Sequence, residues 1–115
     1  MTPDKLWQAA LRIKHVSGIR KFELGKDITY DHVSEILIQI YLAEAEGSIV
    51  STGQLSTSLD IPPSGLARWI KVLEQRNLVE PTDNRMLAAQ FTHSGLIKIE
   101  RILGAMLSPM KLETL

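Results

Sequence analysis

Residues 51–77 read STGQLSTSLDIPPSGLARWIKVLEQRN, and this stretch decides the fold. It opens with Ser51 and Gln54 at the spacing of a capping box, in which the two side chains satisfy backbone N–H groups at the start of a helix. The two consecutive prolines interrupt that helix, since proline lacks an N–H and disfavours helix before it. A second helix follows over residues 64–77. Two short helices joined by a tight turn form a DNA-reading unit whose second helix fits the major groove.

The segment after this pair of helices predicts a short β-hairpin. Leu78-Val79 and Gln90-Phe91 are apolar pairs that flank a polar turn at residues 82–85. Ile49-Val50, just before the first helix, is too short to form a strand alone and is a candidate third strand for the hairpin. This order of elements predicts a mainly α domain with a small β-hairpin wing, a winged helix-turn-helix.

Three further helices are predicted from apolar residues that recur every three or four positions. The first begins at Thr2-Pro3-Asp4 and ends at Gly18, with a connector up to residue 28. The second spans about residues 30–46, is the most apolar, and ends in a cap at Gly47. The last follows a Thr92 cap and covers residues 94–108. Their predicted core faces are Leu6, Ala10, Ile13 and Val16; Val33, Ile36, Leu37, Ile40 and Ala43; and Leu96, Ile99, Leu103 and Met106.

The second helix of the motif has a distinct inner and outer face. Its inner stripe is predicted to be Leu66, Ile70 and Leu73, and Asn77 ends it because asparagine tolerates the left-handed conformation. Small residues followed by cations are the pattern that close approach to bases and phosphates requires. Arg68 has the plainer alternative of a solvated helix cation, and Trp69 is expected to pack at the edge of the core. The outward residues are Ser64, Gly65, Ala67, Arg68 and Lys71.

Composition limits the classes of function. The 115 residues suit one domain, and a formal net charge of zero counts against nucleic acid, because DNA affinity depends largely on Lys and Arg. The charges are unevenly distributed, however: residues 5–26 are basic and residues 27–46 are acidic. The chain has no cysteine, its three histidines are far apart, and no catalytic motif is present, so we expect neither a metal site, nor a cofactor, nor an enzyme.

Residues 36–102 resemble the winged helix-turn-helix of MarR-type bacterial transcription regulators. The matching elements are PSGLARWI at 63–70, Asn77-Leu78-Val79, Asp83-x-Arg85 and Phe91-Thr92-x-x-Gly95. The resemblance implies that the second helix of the motif enters the major groove, while Arg85 on the wing approaches the minor groove. It thereby implies DNA contacts from Ser64, Gly65, Ala67, Arg68, Lys71 and Arg85.

The terminal helices carry more apolar residues than one stripe on a small domain requires. Helices that are apolar over more than one face are usually buried on more than one side. We therefore expect a homodimer built from residues 3–17 and 94–108, with Trp7 at or near the seam. The predicted interface residues are Leu6, Trp7, Ala10, Ile13, Ile99, Leu103 and Met106.

These observations predict a single domain over residues 1–115, with an N-terminal helix and connector (1–28), a winged core (29–95) and a C-terminal helix (94–108). The predicted function is that of a cytoplasmic, sequence-specific transcription regulator that binds double-stranded DNA as a homodimer. Two alternatives remain open. One is a protein–protein interaction module without strong DNA affinity, favoured by the zero net charge, the short wing and the acidic block. The other is a regulator that senses an unidentified small molecule between the terminal helices and the motif.

Overall fold

The structure, a computed structural model, describes residues 3–25, 32–81 and 88–107 of the chain. Within these ranges the chain is mainly helical, which confirms the predicted class at that level. Five helices and one short antiparallel pair of strands follow in the order α1 (Pro3–Leu24), α2 (His32–Ala45), β1 (Val50–Ser51), α3 (Thr52–Leu59), α4 (Pro63–Gln75), β2 (Ala88–Ala89) and α5 (His93–Leu107).

Helix α2 is the centre of the fold, as its apolar sequence predicted. It packs against α1, α3, α5 and β1. Because it is covered on several sides, its buried residues exceed the predicted stripe: Val33 and Leu37 are only partly buried, whereas Ile38 and Tyr41 join the core. The fully or nearly fully buried residues of α2 are Ile36, Ile38, Ile40, Tyr41 and Leu42.

Helix α1 is longer than predicted, because it continues through Gly18 to Leu24. It ends at Gly25, which has a left-handed φ of +89° and donates its N–H to the Lys21 carbonyl at 3.0 Å. A glycine inside a helix costs only about 1 kcal/mol relative to alanine, which tertiary contacts readily offset. One such contact is the ion pair between Lys21 and Glu35 of α2. The prediction that Gly18 ends the helix was therefore wrong.

Three further helices end on a residue with positive φ, like Gly25 after α1: Gly47 after α2, Asp60 after α3 and Asn77 after α4. In each case the next N–H reaches back to a carbonyl five residues earlier, as Ser48 does to Ala43 at 2.8 Å. The predicted caps at Gly47 and Asn77 are confirmed. Asp60 is an additional one, and it reverses the chain before the two prolines.

The small sheet joins the two ends of the motif. Val50 and Ser51 of β1 pair with Ala89 and Ala88 of β2 in antiparallel register. Val79 forms an antiparallel bridge with Phe91, so the segment after α4 also meets the returning chain. The predicted pairing of the residue 49–50 segment with this returning chain is confirmed for Val50. The predicted turn at residues 82–85 lies outside the described residues.

The inner faces of α1, α3, α4 and α5 agree with the sequence pattern, apart from the last position of two predicted stripes. Leu55, Leu66, Leu73 and Leu103 are among the buried residues predicted from the helical periodicity. Val16 and Met106 were predicted to continue their stripes, but they are 47% and 60% exposed. In both helices the stripe continues one position further on, since the half-buried residues in the final turns are Ser17, Lys21 and Leu107.

Candidate nucleic-acid interface

The pair of helices that the sequence identified begins at α3, whose start is fixed by the predicted capping box. The Gln54 N–H donates to the Ser51 hydroxyl at 3.1 Å, and the Ser51 N–H donates to the Gln54 side chain at 2.9 Å. After Asp60, the Ser56 hydroxyl donates to the Ile61 carbonyl at 2.6 Å, and the Ile61 side chain is buried in the core. The turn between α3 and α4 is thus held at both ends.

Helix α4 presents the predicted outer face to solvent. Pro63 is at its first position, where the missing N–H costs no hydrogen bond. Leu66, Ile70 and Leu73 are buried, which confirms the predicted inner stripe. Of the predicted contact residues, Ser64, Ala67, Arg68 and Lys71 are exposed and Gly65 is half-buried.

The exposed residues of α4 form one surface. Ser64, Ala67, Arg68 and Lys71 recur at three- and four-residue spacing, which places them on one side of a helix. Gly65 lies beside this face, and a Cβ there would be in ordinary van der Waals contact with the Ile61 side chain, at 3.7 Å. The structure therefore brings five of the six predicted DNA contacts onto one helix. The sixth, Arg85, and its predicted partner Asp83 lie outside the described residues.

A cleft of about 600 Å³ separates α3 from α4 beside this face. Its charges are one cation, Lys71, and one anion, Glu74, both on α4. The α3 side supplies hydroxyl groups and an open glycine. Such a lining suits neutral hydrogen bonding more than the capture of a strongly charged small molecule. The lining residues include Thr52, Gly53, Ser56, Thr57, Pro63, Ala67, Lys71 and Glu74.

An apolar strip beside the outer face was missed by the sequence analysis. Trp69 and Val72 on α4 are 37% and 40% exposed, and their three-residue spacing puts them on neighbouring turns. Trp69 was predicted to pack at the core edge, and more than a third of its surface remains open. The signal in the sequence was available for Val72, which does not follow the 66–70–73 spacing of the inner stripe. Trp69 is three residues after Leu66 and four before Leu73, so it lies at the edge of that stripe.

The end of α4 is joined to the start of α5 by Thr92. Its hydroxyl donates to the Asn77 carbonyl at 2.7 Å and accepts the Gly95 N–H at 2.9 Å, which confirms the predicted Thr92 cap. Gly95 lies against the Leu78 main chain: an added Cβ would be 2.8 Å from the Leu78 carbonyl carbon and closer still to its oxygen. The Thr-x-x-Gly element therefore has a structural role that fixes α5 against α4.

Two titratable side chains, those of Glu44 and Tyr41, lie partly or fully within the packed structure. Glu44 accepts the Phe91 N–H at 3.0 Å, and burial raises the pKa of this carboxyl, although the hydrogen bond partly opposes that shift. Burial also raises the pKa of Tyr41, helped by the negative charge and hydrogen bond of Glu100. These contacts tie α2 to α5 and to the chain that precedes it.

The residues predicted to form a dimer interface are mostly inside a single chain. Leu6, Ala10, Ile99 and Leu103 are buried in the core, while Trp7 and Ile13 pack partly against it. Only Met106 is widely exposed. The core uses the apolar face that the sequence assigned to a second copy, so these residues have little surface left for one. The apolar residues left exposed on the terminal helices are Leu11, Val16, Ile19, Phe22, Leu24, Ile97, Ile102 and Met106.

Within the described ranges no group of three or more His, Asp or Glu side chains is arranged to hold a metal ion. None of the described helices is both long and apolar enough to cross a membrane. Trp7 buries its indole N–H without a hydrogen-bond partner among the described residues, which fits packing rather than a polar site.

No family model, curated protein or solved structure that was compared with this chain matches it. The resemblance to MarR-type regulators therefore depends on the residues quoted from the sequence.

Proposed function

We propose that this protein is a cytoplasmic transcription regulator of MarR-like, winged helix-turn-helix type that binds duplex DNA as a homodimer. The observation that carries the proposal is the outer face of α4. There Ser64, Ala67, Arg68 and Lys71 are exposed along one side of a helix whose opposite side is buried. A helix exposed along one side is the kind of element that enters a major groove in helix-turn-helix proteins.

The order of side chains along α4 supports this orientation. Ser64, Gly65 and Ala67 at the leading end are small, so the helix backbone can approach the floor of the groove closely. Arg68 follows with a planar guanidinium that can bond two acceptors of guanine at once. Lys71, one turn later, is placed for a backbone phosphate. The leading end would then face the bases and the later turns the phosphates.

Salt dependence tests this proposal without knowledge of the operator. A fluorescently labelled duplex of mixed sequence is titrated with the protein at 50 mM and at 200 mM salt. With about four to six phosphate contacts per dimer, affinity falls by about 10²- to 10³-fold between the two conditions, because bound counterions are released from the DNA. Absence of binding at 50 mM salt to any duplex would contradict the proposal.

A second candidate function is a protein–protein interaction module on the same fold. The observation that favours it is the exposed apolar strip of Trp69 and Val72 beside the α4 outer face, together with Glu74 in the adjacent cleft. An acid repels phosphate, and exposed aromatic surface is typical of protein interfaces. Trp69→Ser distinguishes the two candidate functions. If the variant binds DNA as tightly as the wild type, the result favours DNA binding through the α4 outer face.

A further inference from the structure

Helix α1 has an exposed seam on the side away from the core. It consists of Leu11, His15, Gly18 and Phe22, with Ile19 beside it, and the same residues line a shallow depression on the helix surface. Phe22 is 86% exposed. Single exposed apolar side chains are ordinary, but a phenylalanine in line with other apolar positions marks an interaction site.

The spacing of the seam is that of a helix that packs on another helix. The intervals from residue 11 to 15, 18 and 22 are four, three and four, the repeat of the contact positions in a coiled coil. At 100° per residue these four positions fall within about 60° of one another. The core-facing Leu6, Ala10 and Ile13 lie on the opposite side of the same helix. Because α1 already meets α2 and α5 there, the seam is left without a partner in the described chain.

We propose that this seam pairs with the same seam of a second copy, in antiparallel orientation about a two-fold axis between residues 16 and 17. In this register Leu11 of each copy meets Phe22 of the other, and His15 meets Gly18. A large side chain thus always faces a smaller one. A Cβ added at Gly18 would have no atom within 4 Å, so the space that the histidine ring needs is open.

Charge complementarity selects the antiparallel orientation. On one flank of the seam, Glu23 of each copy comes within about one helical turn of Arg12 of the other, which gives two opposite-charge pairs. On the other flank, Lys14 approaches the second copy's Lys21, whose charge is already compensated by Glu35. A parallel pair would instead bring Arg12 beside Lys14 on both flanks, and like charges at that distance repel. It would also place Glu23 beside Lys21, but the charge of Lys21 is already compensated by Glu35, so that contact offsets little of the repulsion.

This inference rests on the homodimer within the proposed function and replaces its predicted interface. The seam is one helix wide, which puts the contact at the low end of specific interfaces and its dissociation constant on the order of 1–10 µM. Dimerisation should therefore be measured by light scattering or sedimentation between about 1 and 100 µM, without DNA.

The decisive comparison is Phe22→Glu against Val16→Glu. Both place a carboxylate on an exposed apolar position of α1, but Val16 is about 130° around the helix from the centre of the seam. We expect the wild type and Val16→Glu to dimerise and Phe22→Glu to be monomeric at 100 µM, with unchanged helical circular dichroism. A monomeric wild type, or a Phe22→Glu variant that still dimerises, overturns the proposal.

Introduced cysteines test the register, since the chain has none of its own. Leu11→Cys and Phe22→Cys are prepared separately in the reduced form. Each is oxidised alone, and a reduced mixture of the two is oxidised in a third sample. Identical positions lie about 16 Å apart along the antiparallel pair, too far for a disulfide, whereas residues 11 and 22 are adjacent. A disulfide only in the mixture supports the proposal, and disulfides in the separate samples, or none in the mixture, contradict it.

Failure of this inference can be distinguished from failure of the proposed DNA binding. Self-association is measured here without DNA, while the salt titration needs no assumption about which helices pair. A dimer with the expected cross-links that binds no duplex leaves the seam intact and removes the DNA proposal. A monomer that binds duplex with steep salt dependence does the reverse.

Discussion

The backbone of Gly95 in α5 lies directly against the main chain of Leu78, so close that no side chain fits between them. A Cβ at Gly95 would overlap the Leu78 carbonyl, and neither group is free to move. Leu78 donates its N–H to Leu73 at 2.9 Å and its carbonyl accepts the Thr92 N–H at 3.1 Å. This contact sets the distance between the end of the motif and the last helix.

Gly95→Ala should therefore be strongly destabilising. The added methyl must push α5 away from Leu78, and forced overpacking of this kind costs about 1–3 kcal/mol or more. Gly53→Ala is the matched control, because the nearest atom to its Cβ is the Ser51 hydroxyl at 3.8 Å. That variant should be neutral or gain up to about 1 kcal/mol from helix propensity. Urea denaturation of both variants measures the difference, and equal stabilities would show that the Leu78 contact yields easily.

The Thr92 hydroxyl gives a second prediction at the same junction. Thr92→Val keeps the shape but removes both the donor to Asn77 and the acceptor for Gly95. We expect a loss of about 1–2 kcal/mol, the usual value of a helix cap together with a buried hydrogen bond. Thr92→Ser retains both hydrogen bonds and should lose less. The order wild type, serine, valine in the free energy of unfolding is the expected result, and a valine variant as stable as the serine variant would contradict it.

Glu44 should make stability fall as pH rises above the normal range of a glutamate. Burial raises the pKa of this carboxyl in the folded state, so its contribution is fully present below the unfolded value of about 4.5 and is lost as pH rises through the folded pKa. Glu44→Gln keeps an oxygen that accepts the Phe91 N–H but carries no charge. It should melt at a higher temperature than the wild type at pH 7 and show no such advantage at pH 3.5. Glu80→Gln, an exposed residue, should show no comparable gain at pH 7.

Arg68→Ala tests whether the α4 outer face binds DNA. If the guanidinium contacts a base edge, DNA binding should weaken by about 1–3 kcal/mol and discriminate less between sequences. Because Arg68 is exposed, the melting temperature should hardly change. Arg101→Ala removes an exposed cation from α5 and should affect affinity much less. Unaltered DNA binding in Arg68→Ala, or a marked drop in its melting temperature, would show that the proposed face is wrong.

Local chemistry made the motif predictable from sequence. Ser51 and Gln54 form the expected capping box, Asn77 adopts the expected left-handed cap, and the 66–70–73 stripe is buried. Each of these depends on residues within a few positions of one another, so the sequence contains the whole interaction. The left-handed cap at Asp60 was harder to recognise, because aspartate adopts that conformation much less often than glycine.

Tertiary contacts explain what the sequence did not predict. Helix α1 passes through Gly18 because α2 holds its second half through Glu35, a contact between residues 14 positions apart. Leu6, Ala10, Ile99 and Leu103 appeared available for a dimer because apolar periodicity identifies a buried face without identifying what covers it. Here the covering elements belong to the same chain. The role of Gly95 also depended on a partner, Leu78, that lies on a different element.

The Thr92–Gly95 junction also determines how the molecule can move. With α5 pressed against Leu78 and α1 packed on both α5 and α2, the C-terminal end of α4 is tied through α5 to α1. In a dimer joined through α1, each copy of α4 would therefore keep a fixed position relative to its own α1. The angle at which the two α1 helices cross would set the distance between the two α4 helices. A small rotation about the seam would therefore produce a larger displacement of the α4 outer face.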